Sequence, residues 1–365
     1  MAFEAESMTV EHGEPKKVEL QDVGSELFAL SQEAVGEDTR RAFGRMLTLV
    51  VYSEGEEPLE TLHRLVGETV ARASGRAILI DRVKQAGERD LEAYISTHCL
   101  VRGDDEMEQC AELVTLHVYD GMLEDLQNAV LSLRLQDLPL VVWWRARPDL
   151  REPFFSAMLK SADQVILDSA RADADADRLP QLVSRLRKES EQVPFGDINW
   201  ARLIPWRELI AQFFDTPEHL DYLERLDRMV LEYSARDRGN PAQAILITMW
   251  LATLLKWQVV RGSWAENGRN RSLRLQGPGG EIDVEIRGRV DSDAPPGWLC
   301  SVTLSATGEP PADFQISFCG ENCVTTVVKL GDRVAERSLA LHVPGEVTLV
   351  CEEFDARRSD RIYHQ

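Results

Sequence analysis

Positive charge is what this chain most lacks: 41 Lys and Arg stand against 62 Asp and Glu, a formal net charge of −21 over 365 residues. Binding to a phosphate backbone depends on Lys and Arg displacing condensed counterions, so nucleic acid and anionic membrane are not expected as partners. A long hydrophobic run is missing too. The longest apolar stretch, Ala242 to Trp257, is interrupted by Gln243 and Lys256 and falls short of the roughly 20 residues that cross a bilayer; it reads as a buried helix. The opening "MAFEAESMTVEHGEPKKVELQ" has scattered acids and no apolar core of a secretory signal, which points to a cytoplasmic location. Six cysteines are too few for a disulfide scaffold, and a reducing cytosol would not maintain one. Any redox role is then a switch rather than a staple.

Motifs that carry chemistry are equally scarce. No Gly-rich loop ends in Lys-Ser/Thr, and no strand runs into a three-glycine dinucleotide turn. "GPGGE" at Gly277 to Glu281 sits between strand patterns and reads as a hairpin turn. The seven histidines are scattered without a helical pair or a metal-binding carboxylate motif; His98 and His117, on the more polar faces of expected strands, read as structural rather than as catalytic bases. Asp173, Asp175 and Asp177 begin like a calcium loop, but Arg178 and Ser184 stand where that loop needs glycine and glutamate. No catalytic residue, metal or cofactor is expected.

What is present is a succession of patterns. Residues 1–25 offer too little apolar surface to offset the entropy of ordering and are expected to be mobile. From 26 to 177 strand and helix periods mix: strands at Leu47 to Tyr52, Arg76 to Val83, Leu91 to Val101, Leu113 to Tyr119, Leu140 to Trp144 and Gln164 to Asp168, with helices after Pro58, from Leu123 to Leu133 and around Phe154 to Lys160. That mixture predicts an α/β domain with a mixed sheet, ending in the solvated connector "ARADADADR". Residues 178–261 read as helical throughout, with stripes at Leu179, Leu182, Leu186 and at Leu220, Leu223, Leu226, Val230, and with no strand signal. From 262 to 365, "RSLRLQ", "EIDVEIRGRV", "WLCSVTLSA", "DFQISFC", "CVTTVVKL" and "EVTLVCEEF" alternate apolar and polar residues between turns, which predicts an antiparallel sheet packing with the helices. No segment repeats at a fixed period.

Three groups of residues are candidates for function. Trp200, Arg202, Trp206 and Arg207 combine the residue types enriched at binding hot spots, against a reading in which the same amphipathic segment, with Leu209, Ile210, Phe213 and Phe214, is core. Arg145 and Arg147 follow the strand ending Trp143-Trp144 and could hold an anion, although a structural strand end accounts for them as well. Cys319 and Cys323 flank Gly320, Glu321 and Asn322; residues flanking such a hairpin face one another at a spacing a disulfide can bridge. Inert thiols, or half of a zinc site completed by Cys300 and Cys351, are the alternatives.

The segment "GDINWARLIPWRELIAQFFD", Gly196 to Asp215, resembles the signature of the glucose-6-phosphate dehydrogenase assembly protein family, also called OpcA. "ELVTLHVYD", "LPLVVWWRARP" and "ADQVILDSA" resemble that family in the same order, so the likeness covers most of the chain after about residue 40. It departs at Ile204, where the family often has a Thr able to cap the helix. The resemblance implies a non-catalytic protein that binds glucose-6-phosphate dehydrogenase and promotes its assembly or activation. A metabolite-sensing α/β protein, or an enzyme acting on a sugar phosphate near Arg145 and Arg147, are the rival readings.

Overall fold

The computed structural model describes residues 9–55, 57–83, 91–101, 108–119, 123–149, 151–171, 193–320 and 322–355. The connector from Ala172 onward, with Asp173, Asp175 and Asp177, and the helical stripe at 179–186 lie outside them. The chain divides into two compact units: one takes in residues 1–168, 178–198 and 345–359, the other residues 169–177, 199–344 and 360–365.

The first unit is built on β1 (Thr9–His12), β2 (Lys16–Val18), β3 (Arg41–Phe43), β4 (Leu47–Ser53), β5 (Gly75–Val83), β6 (Glu92–Val101), β7 (Glu108–Tyr119), β8 (Leu140–Trp144), β9 (Gln164–Leu167) and β10 (Phe195–Asp197). Its sheet runs β1-β6-β7-β5-β4-β8-β9-β10, with β2 beside β6 and β3 beside β7. From β7 to β10 neighbours are parallel, and β6 is antiparallel to β7 and to β1. This is the mixed sheet expected. Every residue of β4, "LTLVVYS", is buried, as a parallel strand covered on both faces requires. The helices α1 (Val23–Glu37), α2 (Leu59–Ala73), α3 (Leu123–Leu133) and α4 (Pro153–Ser161) belong to this unit. Glu152 starts α4 by accepting from the Phe155 N–H at 3.0 Å, with Pro153 in the first turn where its missing donor costs nothing.

Residues 9–25 differ from expectation. They form β1, β2 and the start of α1, because backbone pairing with β6 satisfies groups that their own side chains could not bury.

The second unit carries α5 (Ile204–Gln212), α6 (Pro217–Leu223) and α7 (Ala242–Leu254) with β11 (Leu226–Ser234), β12 (Gln258–Val259), β13 (Ala265–Asn267), β14 (Asn270–Gly277), β15 (Gly280–Arg289), β16 (Leu299–Ala306), β17 (Ala312–Gly320), β18 (Cys323–Leu330) and β19 (Arg333–Ala340). Its sheet runs β12-β14-β15-β11-β16-β17-β18-β19, with β13 on β14. Gly277 pairs with Gly280, so "GPGGE" is a hairpin turn. The expected strandless stretch to residue 261 is corrected by β11, a central strand parallel to β15 and antiparallel to β16. Met229, Leu231 and Tyr233 are its buried alternation; the stripe ending at Val230 masked it.

"EVTLVCEEF" is also corrected: it forms α8 (Glu346–Asp355), in the first unit. Val347, Val350, Cys351 and Phe354 lie at i, i+3, i+4 and i+7, a helical stripe that coexists with the strand alternation in the same letters. Among the described residues no helix is long and apolar enough to cross a membrane.

Candidate functional site

Trp200 and Trp206 are 5% and 2% exposed and belong to the core of the second unit with Leu203, Ile210, Phe213 and Phe214. Their core reading is the one the geometry supports. Arg207 is half-buried, its guanidinium carbon 3.6 Å from the centre of the Trp200 ring, a cation–π contact. Arg202 is half-buried as well.

Arg145 is 2% exposed at the C-terminal end of β8, where the chain leaves β4 toward β5 on one side while β8 flanks it on the other. Sheets of this type bind ligands at that switch point. Here the place is filled: Arg145 Nη2 lies 3.0 Å from both Glu57 Oε1 and Glu346 Oε2, and Nε and Nη1 bond the same two carboxylates. Burial works against the guanidinium charge, and Glu346 and Glu57 outweigh it, so its pKa is raised. Where an anion is one candidate and a structural strand end the other, the structure puts two carboxylates of the chain itself. Arg147 is exposed.

Cys319 and Cys323 are joined in a disulfide, Cα atoms 5.2 Å apart. The hairpin is tighter than a simple facing pair: Phe318 pairs with Val324 and Gly320 with Cys323, leaving Cys319 in a bulge. Gly320 at φ 126° supplies a backbone conformation other residues rarely adopt. Bonded to one another, the two sulfurs are not half of a four-cysteine zinc site. A second disulfide, unexpected from the sequence, joins Cys99 and Cys110, which are register partners on β6 and β7. Cys99 lies on an expected strand, but Cys110 precedes the strand expected from Leu113, and the register that brings the two together has no trace in the sequence.

Three histidines the sequence scatters meet in the first unit. His12 Nδ1 and His98 Nδ1 are 2.9 Å apart, His98 Nε2 is 3.0 Å from Ser96 Oγ, and Ser96 Oγ is 3.1 Å from His63 Nε2. One proton per neutral ring satisfies this chain of hydrogen bonds. Burial pushes His98 down to about 3, aided by His63, and His63 down to about 4, aided by His12. His117 behaves oppositely. Its bond to Asp81, at 2.7 Å, raises its pKa. His63, Ser96 and His98 are buried, His117 is half-buried and His12 is exposed, and both arrangements hold side chains in place.

Among the described residues, a surface with the features of a protein-binding site lies in the second unit. A groove of about 400 Å³ opens between α5–α6 and the outermost hairpin β18–β19. One wall is the signature segment: Leu209, Gln212 and Phe213 at the end of α5, then Thr216 and His219, whose Nδ1 donates to the Phe213 carbonyl at 2.6 Å. The other is Val328, Leu330, Val334 and Leu339 with Arg333 and Arg337. Every residue of β19 is exposed. In a chain this acidic, the groove lining contains no Asp or Glu. The disulfide borders it, since Cys323 pairs with Ala340 at the end of β19.

Fold and site define a two-unit protein, one unit an α/β sheet closed at its switch point by its own ion pairs, the other a helix-backed sheet with an open apolar edge. The family profile described as the glucose-6-phosphate dehydrogenase subunit N-terminal domain matches residues 68–184, and that of the C-terminal domain matches residues 193–365. The chain belongs to this OpcA family. It is 30% identical over 267 residues to a protein of Nostoc punctiforme and 32% identical over 246 residues to one of Synechococcus elongatus, both bearing the provisional name OxPP cycle protein OpcA. These matches cover 71% and 64% of this chain, but only 55% and 52% of the relatives, so the chain spans about half their length. Among solved structures, glucose-6-phosphate 1-dehydrogenase of Mycobacterium avium aligns with a TM-score of 0.48 and 11% identity over 87% of this chain and 90% of that one. A likeness that weak carries no argument.

Proposed function

We propose that this chain is a non-catalytic cytoplasmic subunit that binds glucose-6-phosphate dehydrogenase and promotes its assembly or activation in the oxidative pentose phosphate pathway. Family membership supports the partner. The observation that carries a binding role is the groove between the signature helix and β19, an open apolar surface with a cationic rim and no carboxylate in its lining. The filled switch point of the first unit speaks against an enzyme or a ligand at Arg145.

Activation by such a subunit is a shift of population. It must bind the active oligomer more tightly than the inactive one, and a 100-fold shift needs only about 2.7 kcal/mol of differential affinity. Mixed with the dehydrogenase of its own organism at micromolar concentration, the chain is expected to co-elute on gel filtration and to lower the apparent substrate constant or raise turnover. Separate elution with unchanged kinetics refutes the reading.

A metabolite-sensing role has one observation in its favour: a cavity of about 1000 Å³ in the first unit, where Arg72 and Arg134 accompany Asp137 and Asp163. If that role holds, dehydrogenase activation changes with added sugar phosphate, and Arg134→Ala abolishes the change.

A further inference from the structure

We propose that β19 is a docking edge that accepts an extended acidic–apolar segment of the partner as an added strand; this rests on the binding role above. Among the described residues β19 pairs with β18 alone, so its outer edge is a row of unpaired backbone groups. Opposite residues of an antiparallel pair share a face. Arg333, Ala335, Arg337 and Leu339 lie opposite Leu330, Val328, Thr326 and Val324. Val324 is fully buried, and Val328 and Leu330 pack on the core. These four residues of β19 therefore lie on the helix-covered side of the sheet, yet remain exposed, because the helices stop short of them and leave the groove.

The chemistry of that face specifies its occupant. Arg333 and Arg337, four apart on one face, have no carboxylate partner among the described residues. Leu339, 37% exposed, and Ala335 alternate with them. An antiparallel strand that reads apolar, acidic, apolar, acidic at every second position puts carboxylates opposite both arginines and apolar side chains into the groove. The volume suits side chains or about one turn of helix, so the extended mode fits better than a docked helix. A second copy of this chain does not fit. Symmetric antiparallel pairing puts some residue opposite itself, and the two registers of greatest overlap place Arg337 on Arg337 or Glu336 on Glu336, like charges face to face.

The test is amide hydrogen exchange of the full chain, alone, with the dehydrogenase, and with the acetylated peptide Val-Thr-Glu-Thr-Val-Thr-Glu-Thr or its analogue with Lys for Glu. The Glu peptide is expected to bind at least 10-fold more tightly than the Lys peptide, as one charge-paired register requires, and to slow exchange at β19. Arg333→Glu with Arg337→Glu reverses that preference; if this variant does not fold, R333Q with R337Q removes it. The dehydrogenase slows the same amides. Equal affinity for the two peptides, with no protection of β19 by the dehydrogenase, overturns the proposal, as does β19 protection that grows with the concentration of the chain alone. A dehydrogenase complex that protects other segments only sinks the edge and spares the function above. Failure to bind the dehydrogenase sinks that function, and the peptides then decide β19 by themselves.

Discussion

At the residue scale, Arg145 and the Cys319–Cys323 pair show how differently a candidate residue fares once its neighbours are known. An arginine after a strand in an α/β sheet reads as an anion ligand because its charge is visible in the sequence, while the two carboxylates that neutralise it come from positions 57 and 346. Cys319 and Cys323 are four apart and their meeting is local, so the sequence exposes it. Cys323 pairs with Ala340 at the end of β19, so reducing this disulfide removes a crosslink beside the strand that walls the groove. Affinity for the dehydrogenase is expected to differ between oxidised and reduced chain, and replacing both cysteines with Ser should abolish the difference. A double variant that keeps the parent's redox dependence would show that the disulfide has no part in binding.

At the scale of elements, α2 shows why propensity is subordinate to packing. Gly67 sits in the middle of this helix, where alanine would favour the helix by about 0.8–1 kcal/mol. A Cβ there would lie 2.6 Å from His98 Nδ1 and 2.7 Å from its Cε1. That ring cannot swing away cheaply, since both its nitrogens are in hydrogen bonds. Overpacking of this sort costs about 1–3 kcal/mol, so Gly67→Ala is expected to lower the melting temperature despite its better propensity. G67A should be tolerated far better in a His98→Ala background. A stabilising single substitution would contradict the tight packing of α2 on β6.

For the molecule as a whole, the histidines predict how stability follows pH. His63 and His98 have folded pKa values depressed below the ordinary 6.5, to about 4 and about 3, and His12 is lowered too, chiefly by burial. As pH falls below 6.5 the unfolded chain takes up protons these rings cannot, so their contribution is complete above 6.5 and is lost progressively toward the folded values. His117 has the opposite sign: raised by Asp81, its contribution is complete below 6.5 and is lost as pH rises through its folded pKa. The two buried rings, His63 and His98, outweigh one. Unfolding free energy in urea is expected to fall by on the order of 2 kcal/mol between pH 7 and pH 5, and His98→Gln should flatten the slope. Stability that rises on acidification would show that the cluster is charged in the folded protein.

The sequence by itself determined the class of the first unit, the strands from Leu47 to Trp144 within one residue at each end except that β7 begins at Glu108 rather than Leu113, and the turn at Gly277 to Gly280, and it made a Cys319–Cys323 crosslink one of the open readings. All of these rest on periodicity or on neighbours a few residues apart. It also carried the family, through a segment dense in tryptophan, arginine and proline. Only the tertiary structure decided that Trp200 and Trp206 are core, that Arg145 is neutralised by Glu57 and Glu346, and that β11 is a central strand and residues 346–355 a helix. Only it assembled His12, His63 and His98 across Ser96. In the two misread elements both periods are written in the same letters, and the packing partner selects one. For the others the deciding contacts join residues tens to hundreds of positions apart, and register and burial, which set them, leave no periodic trace in the chain.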